Sequence, residues 1–364
     1  LYFSFKNAKN VLLLSSVFYF TTKNLYNCTL WNNSNNMIRR ISFIVVVFLV
    51  GLSSMAKAQD AHFSQFYANP LYLNPAFAGL DKCPRINMSY RNQWPALGQT
   101  YVTYSLSYDQ HVRAIQGGAG LLLMNDVQGD GTIISTTVGG MYSYTLPITR
   151  RFAITAGFQA AYVMKTVKWE FIFPDMIHPL YGPIYATQED PSIVDDQKNY
   201  FDFSTGVLGF SEKTFFGVAV HHLTEPSESF LRGSDAVLPR KFTVHFGTDI
   251  AINSPQFRRG ELSLAPQILF HQQGDFQQFN WGLYVNRKAI VAGFWLRQNF
   301  NFHYDSFVML VGFRQDNIKF GYSYDLTVSK LRNSTLGAHE VTFGFTFGCR
   351  PARASFRTIS CPSF

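Results

Sequence analysis

The sequence predicts an all-β fold: a transmembrane antiparallel β-barrel of about fourteen strands, preceded by an N-terminal plug segment. Three observations point there. Segments of strict polar–apolar alternation recur along the chain. The aromatic share is high, with 36 Phe and 19 Tyr, while charged residues make up only 15%. A soluble domain of ordinary composition carries about a quarter. Beyond residue 58 no apolar run reaches the roughly 20 residues that a spanning helix needs, AIVAGFWL at 289–296 being among the longest.

The alternation carries the argument. Val102, Tyr104, Leu106 and Tyr108 interleave with Thr103, Ser105, Ser107 and Asp109. Successive side chains on a strand point to opposite faces, so one face is apolar and the other polar. Phe242, Val244, Phe246 and Ile250 oppose Thr243, His245, Gly247 and Asp249 in the same way. So do Ile318, Phe320, Tyr322, Tyr324 and Leu326 against Lys319, Gly321, Ser323 and Asp325. In the last such segment Val341, Phe343, Phe345 and Phe347 alternate with Thr342, Gly344, Thr346 and Gly348. A soluble sandwich hides its apolar face inside, whereas a membrane barrel turns it to lipid and lines its lumen with the polar one. The aromatic character of one face, and Gly, Ser and Thr rather than Lys and Glu on the other, favour lipid outside.

Strands are predicted at 86–95, 100–110, 115–126, 132–146, 151–167, 199–211, 214–223, 240–252, 260–271, 276–287, 289–299, 304–315, 317–327 and 339–348. The count is even, as in bacterial single-chain barrels, and places both ends of the barrel domain (83–348) on the periplasmic side. Closure follows from physics, because an unpaired edge in hydrocarbon leaves backbone groups unsatisfied. The long connections are 168–198, 224–239 and 328–338. Glu189, Asp190, Asp195 and Asp196 in the first of these read as solvated loop charge rather than a metal site.

Upstream, MIRRISFIVVVFLVGLSSMAKAQD from Met37 reads as a signal peptide (37–58). Arg39 and Arg40 are its positive region, residues 41–52 its apolar core, and Ala56-Lys57-Ala58 its cleavage site. Residues 1–36, which contain no Asp or Glu, read as non-native upstream translation. The formal charge of +8 is therefore misleading. Removing the six bases of residues 1–58 from the chain's 31 leaves 25 against 23 acids, a net charge of +2. No basic footprint for nucleic acid remains.

The segment 59–82 is unlike a strand. Prolines cannot continue a central ladder, and Asn69-Pro70 and Asn74-Pro75 stand amid Phe63, Phe66, Tyr67, Tyr72 and Phe77. A compact plug in the lumen or at its periplasmic mouth is expected. Arg240, His245, Arg297, Arg314, Asp325 and Lys330 are candidate lumen charges, read as an internal salt-bridge lattice in preference to substrate contacts. Gly117-Gly118-Ala119-Gly120 sits in a strand and is expected to ease crowding in the lumen. His221 and His222 are adjacent, so on a strand they face opposite ways and do not chelate one metal together. Residues 126–131 (DVQGDG) lack calcium-loop spacing and read as a tight strand connection. Cys83 precedes the first strand and Cys349 follows the last, with Cys361 in a basic periplasmic tail (349–364). One disulfide is expected in this trio, with Cys83–Cys349 and Cys349–Cys361 both open.

Nucleophile-elbow, Walker, HExxH and CxxC signatures are absent, and no catalytic, cofactor or metal site is expected. The block QDAHFSQFYANPLYLNPAFAGL resembles the opening of the PorP/SprF family of type IX secretion system outer-membrane proteins. FDFSTGVLGF (201–210), AVHHLTEPSESF (219–230), the stretch from Pro266-Gln267 through QQGDFQQFNWGLYV, and GYSYDLTVSKL with LGAHEVTFGF (321–345) look similar to that family in the same order. The resemblance covers essentially residues 59–364, with 168–198 weakly matched. It implies a non-enzymatic protein of the cell outer membrane. It also implies a large secreted partner with a C-terminal sorting domain, an adhesin or gliding-motility protein, which the barrel helps export or anchor, together with other secretion components. The alternative is a channel for hydrophobic small solutes with an N-terminal hatch, a reading with which Asn74-Pro75-Ala76 is compatible.

Overall fold

The computed structural model describes residues 60–81, 83–97, 101–168, 174–187, 194–233, 235–252, 262–300, 304–328 and 336–348. The predicted signal peptide, the upstream residues, Lys330 and the C-terminal tail lie outside the described residues. Fourteen strands form the wall: β1 (Arg85–Gln93), β2 (Tyr101–Val112), β3 (Gly117–Gln128), β4 (Ile133–Pro147), β5 (Phe152–Val167), β6 (Gln197–Ser211) and β7 (Thr214–His221). They continue with β8 (Lys241–Thr248), β9 (Leu262–Gln273), β10 (Phe276–Arg287), β11 (Ile290–Gln298), β12 (Tyr304–Gln315), β13 (Ile318–Thr327) and β14 (Ala338–Thr346).

Each strand pairs antiparallel with its neighbours in sequence. The sheet closes where β1 meets β14, with Met88 opposite Phe343 and Tyr90 opposite Val341. A short extension, Ile250–Ala251, continues β8 alongside Ser263 and Leu264 of β9. Closure leaves no edge to satisfy in hydrocarbon. Among the described residues no helix is long and apolar enough to cross a membrane.

Side-chain parity sorts the two faces as the alternation predicts. On β2, Thr103, Ser105, Ser107 and Asp109 are buried, while Tyr104 and Leu106 are exposed. On β8, Thr243 and His245 are buried against exposed Phe242 and Phe246, and on β13 Ser323 and Asp325 against Phe320 and Tyr322. An exposed face of this composition in a closed sheet is a lipid-facing band.

The two ends of the barrel differ. The connections β5–β6 and β7–β8, at 168–196 and 222–240, and β13–β14, at 328–337, emerge together at one end. The opposite end carries the turns 113–116, 148–151, 212–213, 288–289 and 316–317. That end also holds the start of β1 and the end of β14. At the long-loop end a two-residue pairing, Ile177–His178 with Gly182–Pro183, forms within 168–196. Asp195 there pairs with Arg232 at 2.9 Å. The segment 126–131 is, as expected, the close of β3 and its turn into β4, and Asp126 accepts from Thr103 Oγ1 at 2.7 Å.

Candidate functional site in the barrel lumen

The residues from Asp60 to Leu80 form three single turns. Phe66–Ala68 and Pro75–Phe77 are 3-10 turns, and Pro70–Leu73 is one turn of α-helix. Each Asn-Pro step starts a turn. Proline fits the first helical position, where a missing N–H costs nothing, and Asn74 Oδ1 caps the second by accepting from Ala76 N at 2.9 Å. Phe63, Phe66, Tyr67, Asn69, Pro70, Asn74 and Pro75 are all buried.

Their partners come from around the whole wall. Asp60 accepts from Lys241 of β8 and Gln273 of β9. Ser64 and Gln65 bond to Arg91 of β1, Arg297 of β11, Asp325 of β13, and Glu340 and Thr342 of β14. Ser89 of β1 donates to Asn69 Oδ1 at 2.7 Å. Asn74 Nδ2 donates to the carbonyls of Val207 on β6 and Val218 on β7, both at 3.3 Å, and lies 3.2 Å from His245 Nε2 of β8. Ser143 of β4 donates to Ala78 O at 2.6 Å, and Gly79 N donates to Asp109 of β2 at 2.9 Å. A segment bonded to inward groups on all these strands of a closed wall lies within it. It runs from the long-loop end at Asp60 to the short-turn end at Gly79.

The strongest anchor is a four-charge cluster. Glu340, fully buried, accepts from Ser64 N at 2.6 Å, from Gln65 N at 3.1 Å and from Arg91 Nη1 at 3.2 Å. Asp325 Oδ2 accepts from Arg91 Nη2 at 3.0 Å, from Arg297 Nη1 at 3.2 Å and from Ser64 Oγ at 2.5 Å. Two guanidinium and two carboxylate groups balance, which makes burial of all four tolerable. Ser64 Oγ accepts from both arginines while donating to Asp325, so the segment is the centre of the cluster.

A second cluster ties Asp60 to the long-loop end. Its carboxylate lies 2.8 Å from His222 Nε2 and 3.3 Å from Lys241 Nζ, and His222 Nδ1 lies 2.9 Å from Asp202. Burial alone would raise the Asp60 pKa, but facing His222 and Lys241 hold it well below the usual carboxylate range. Burial would lower His222, but Asp60 and Asp202 push it up to about 10. At the other end Arg85 grips Asp109 through two 2.9 Å bonds and Asp81 at 2.8 Å.

Aromatic contacts fill the space between. Phe66 meets Trp295 edge-on at 5.3 Å, Tyr67 meets Phe215 at 5.4 Å, and Phe77 stacks on His245 at 5.4 Å. At two wall positions the backbone of the segment itself leaves no room for a Cβ. A Cβ on Gly118 would lie 2.0 Å from Ala78 O, and one on Gly157 would lie 2.4 Å from Ala76 N and Pro75 C. The glycine run at 117–120 thus lets the segment's backbone touch the wall.

Of the residues singled out from sequence, His245, Arg297 and Asp325 face the lumen, and Arg314 sits half-buried at the short-turn end. Two expectations are corrected. Arg240 lies just before β8, exposed and 3.4 Å from Glu225, because strand parity gives the inward position to Lys241. His221 and His222 do not face opposite ways: His221 is buried on the inward face, and His222 leaves the strand at φ 58° and turns onto Asp60 and Asp202. Glu340, Arg91, Ser64, Asp60 and Arg85 were not singled out. Parity with Asn87, Ser89 and Thr342 was the available signal for the wall residues. Cys83 is disulfide-bonded; its partner lies outside the described residues, as do Cys349 and Cys361. Among the described residues no group of three His, Cys, Asp or Glu side chains is placed to hold a metal.

A closed antiparallel wall, apolar outside and polar within, defines an outer-membrane β-barrel. The model of the family described as type IX secretion system membrane protein PorP/SprF matches residues 55–345, and the chain belongs to that family. It is thus an outer-membrane component of the type IX secretion system. No curated protein matches the chain. Among solved structures it is similar to the outer membrane protein Omp33 of Acinetobacter baumannii, with 8% identity, 74% of this chain and 100% of that one covered, and a TM-score of 0.41. It is also similar to the toluene transporter TbuX of Ralstonia pickettii, with 9% identity, 76% and 93% covered, and a TM-score of 0.44. A third likeness is to BamA of Haemophilus ducreyi lacking POTRA domains 1–3, with 11% identity, 73% and 71% covered, and a TM-score of 0.37. The fold rests on this chain's own strands and register rather than on these likenesses.

Proposed function

We propose that the protein is a plugged, non-catalytic barrel that binds one large secreted protein and helps it cross, or stay attached at, the outer membrane. The partner is of the adhesin or gliding-motility type and carries a C-terminal sorting domain. The observation that supports this reading is the occupied lumen. A segment bonded to the wall on every side, through a neutral buried cluster and close backbone contacts at Gly118 and Gly157, leaves a poor route for free diffusion. Protein contacts at the loops and rim are then the available means of action. Membership of a secretion family points the same way.

The test is a clean deletion followed by comparison of the surface proteome, with the gene restored in trans. The expected result is selective loss of one large surface protein, recovered on complementation. An unchanged surface proteome together with lost uptake of a hydrophobic solute would overturn the reading in favour of transport.

A further inference from the structure

The short-turn end carries a basic collar. Arg113 lies between β2 and β3, Arg150 and Arg151 between β4 and β5, and Lys213 between β6 and β7, with Arg287 and Lys288 at the β10–β11 turn. All six are exposed, and half-buried Arg314 and Lys319 flank the β12–β13 turn. Among the described residues the acids outside the strands at this end are Asp81, which pairs with Arg85, and Glu212, Asp249 and Asp316, so the end is net positive.

The collar borders the lipid-facing band. Exposed Leu146, Ile148 and Phe152 flank Arg150 and Arg151, Phe216 follows Lys213, and Ile290 follows Lys288. Long basic side chains at such a boundary lay their stems on apolar surface and hold their charges at headgroup level. Short turns and both chain ends of an outer-membrane barrel face the periplasm, so the collar meets the periplasmic leaflet.

We propose that this collar binds the phosphate groups of anionic glycerophospholipids in the periplasmic leaflet. The distribution of the bases selects lipid over a protein partner. They occupy turns spread around the circumference, each next to outward apolar residues, and only the surrounding leaflet contacts the whole ring. The inference does not depend on the secreted partner proposed above.

The full chain, reconstituted in phosphatidylcholine vesicles, is probed with spin-labelled phosphatidylglycerol and phosphatidylcholine to compare their association with the protein surface. The wild type should favour phosphatidylglycerol about threefold or more, since each base near an anionic surface adds attraction, and salt should weaken the preference. The variant R113Q/R150Q/R151Q/K213Q/K288Q should lose it, and the two-site variant R150Q/R151Q, which disturbs one turn only, should lose part of it. Lys168→Gln, at the other end, should retain it. Equal association of the two lipids with the wild type, or a preference untouched in both collar variants, would overturn the proposal. So would a collar whose loss leaves the lipid preference intact but abolishes binding of a soluble periplasmic protein.

Discussion

Removing the charge of Glu340 should release the N-terminal segment from the wall. The carboxylate is fully buried and accepts from Ser64 N, Gln65 N and Arg91. In Glu340→Gln one oxygen remains as acceptor, while the amide places a donor against the groups that approached the other. Hydrogen bonds to a charged group contribute about 1.5–3 kcal/mol each. The change also leaves Arg91 and Arg297 sharing one buried carboxylate, Asp325, with exposed Asp305 4.0 Å from Arg297, and breaking a buried ion pair costs about 3–5 kcal/mol. A loss near 3 kcal/mol is therefore expected. The assay is equilibrium unfolding in urea, followed by the mobility shift between folded and unfolded barrel, with hydrogen exchange of residues 64–80 on the same samples. The double variant Arg91→Gln/Glu340→Gln restores charge balance with Arg297 and Asp325. Its cost should fall below the sum of the single changes by about 0.5–3 kcal/mol, the range for coupled neighbours. An unchanged midpoint and unchanged exchange in Glu340→Gln, or strict additivity in the double variant, would refute the reasoning.

Further outcomes follow from the same geometry. Gly157→Leu puts a side chain where Pro75 and Ala76 pass, and should raise single-channel conductance in planar bilayers, whereas Gly140→Ala, with open space at its Cβ, should leave it unchanged. The Asp60–His222 contact should weaken with rising pH. The histidine's raised pKa makes its contribution full below about 6.5 and lost progressively as pH climbs toward about 10. Asp60, held below 3.8, contributes above that value and loses its contribution only as pH falls further. Protease cutting near residues 60–63 should therefore increase between pH 6.5 and 10, and His222→Gln should flatten that response. Deleting residues 60–80 should convert a quiet barrel into a conducting one; equal conductance with and without them would count against an occupied lumen.

The wall was legible in the sequence because period-2 alternation with aromatic residues on one face marks a strand and its orientation together. The strands at 276–287 and 304–315 fall at the predicted positions, and β3 at 117–128 is shifted from 115–126 by only two residues. Parity fails where a strand begins or ends: there Lys241 rather than Arg240 takes the inward position, and His222 turns onto Asp60 instead of facing opposite to His221. The lumen contacts were less legible for a different reason. Glu340 reads as an ordinary inward polar residue, and nothing local marks Ser64, 276 positions earlier, as its partner. Two Asn-Pro steps announced a segment that is not a strand. Its path from the long-loop end to the short-turn end depends on closure of the whole barrel, which no local pattern encodes.

The most direct test of the account contrasts two tryptophans. Trp281 on β10 is 44% exposed on the outward face, and Trp295 on β11 is 1% exposed toward the lumen. With Trp94 and Trp169 replaced by Phe, the protein in vesicles of brominated lipid should be quenched strongly, Trp295→Phe in that background should keep the quenching, and Trp281→Phe should lose most of it. Quenching that follows Trp295 instead, or none from either, would mean that lipid does not bathe the aromatic face.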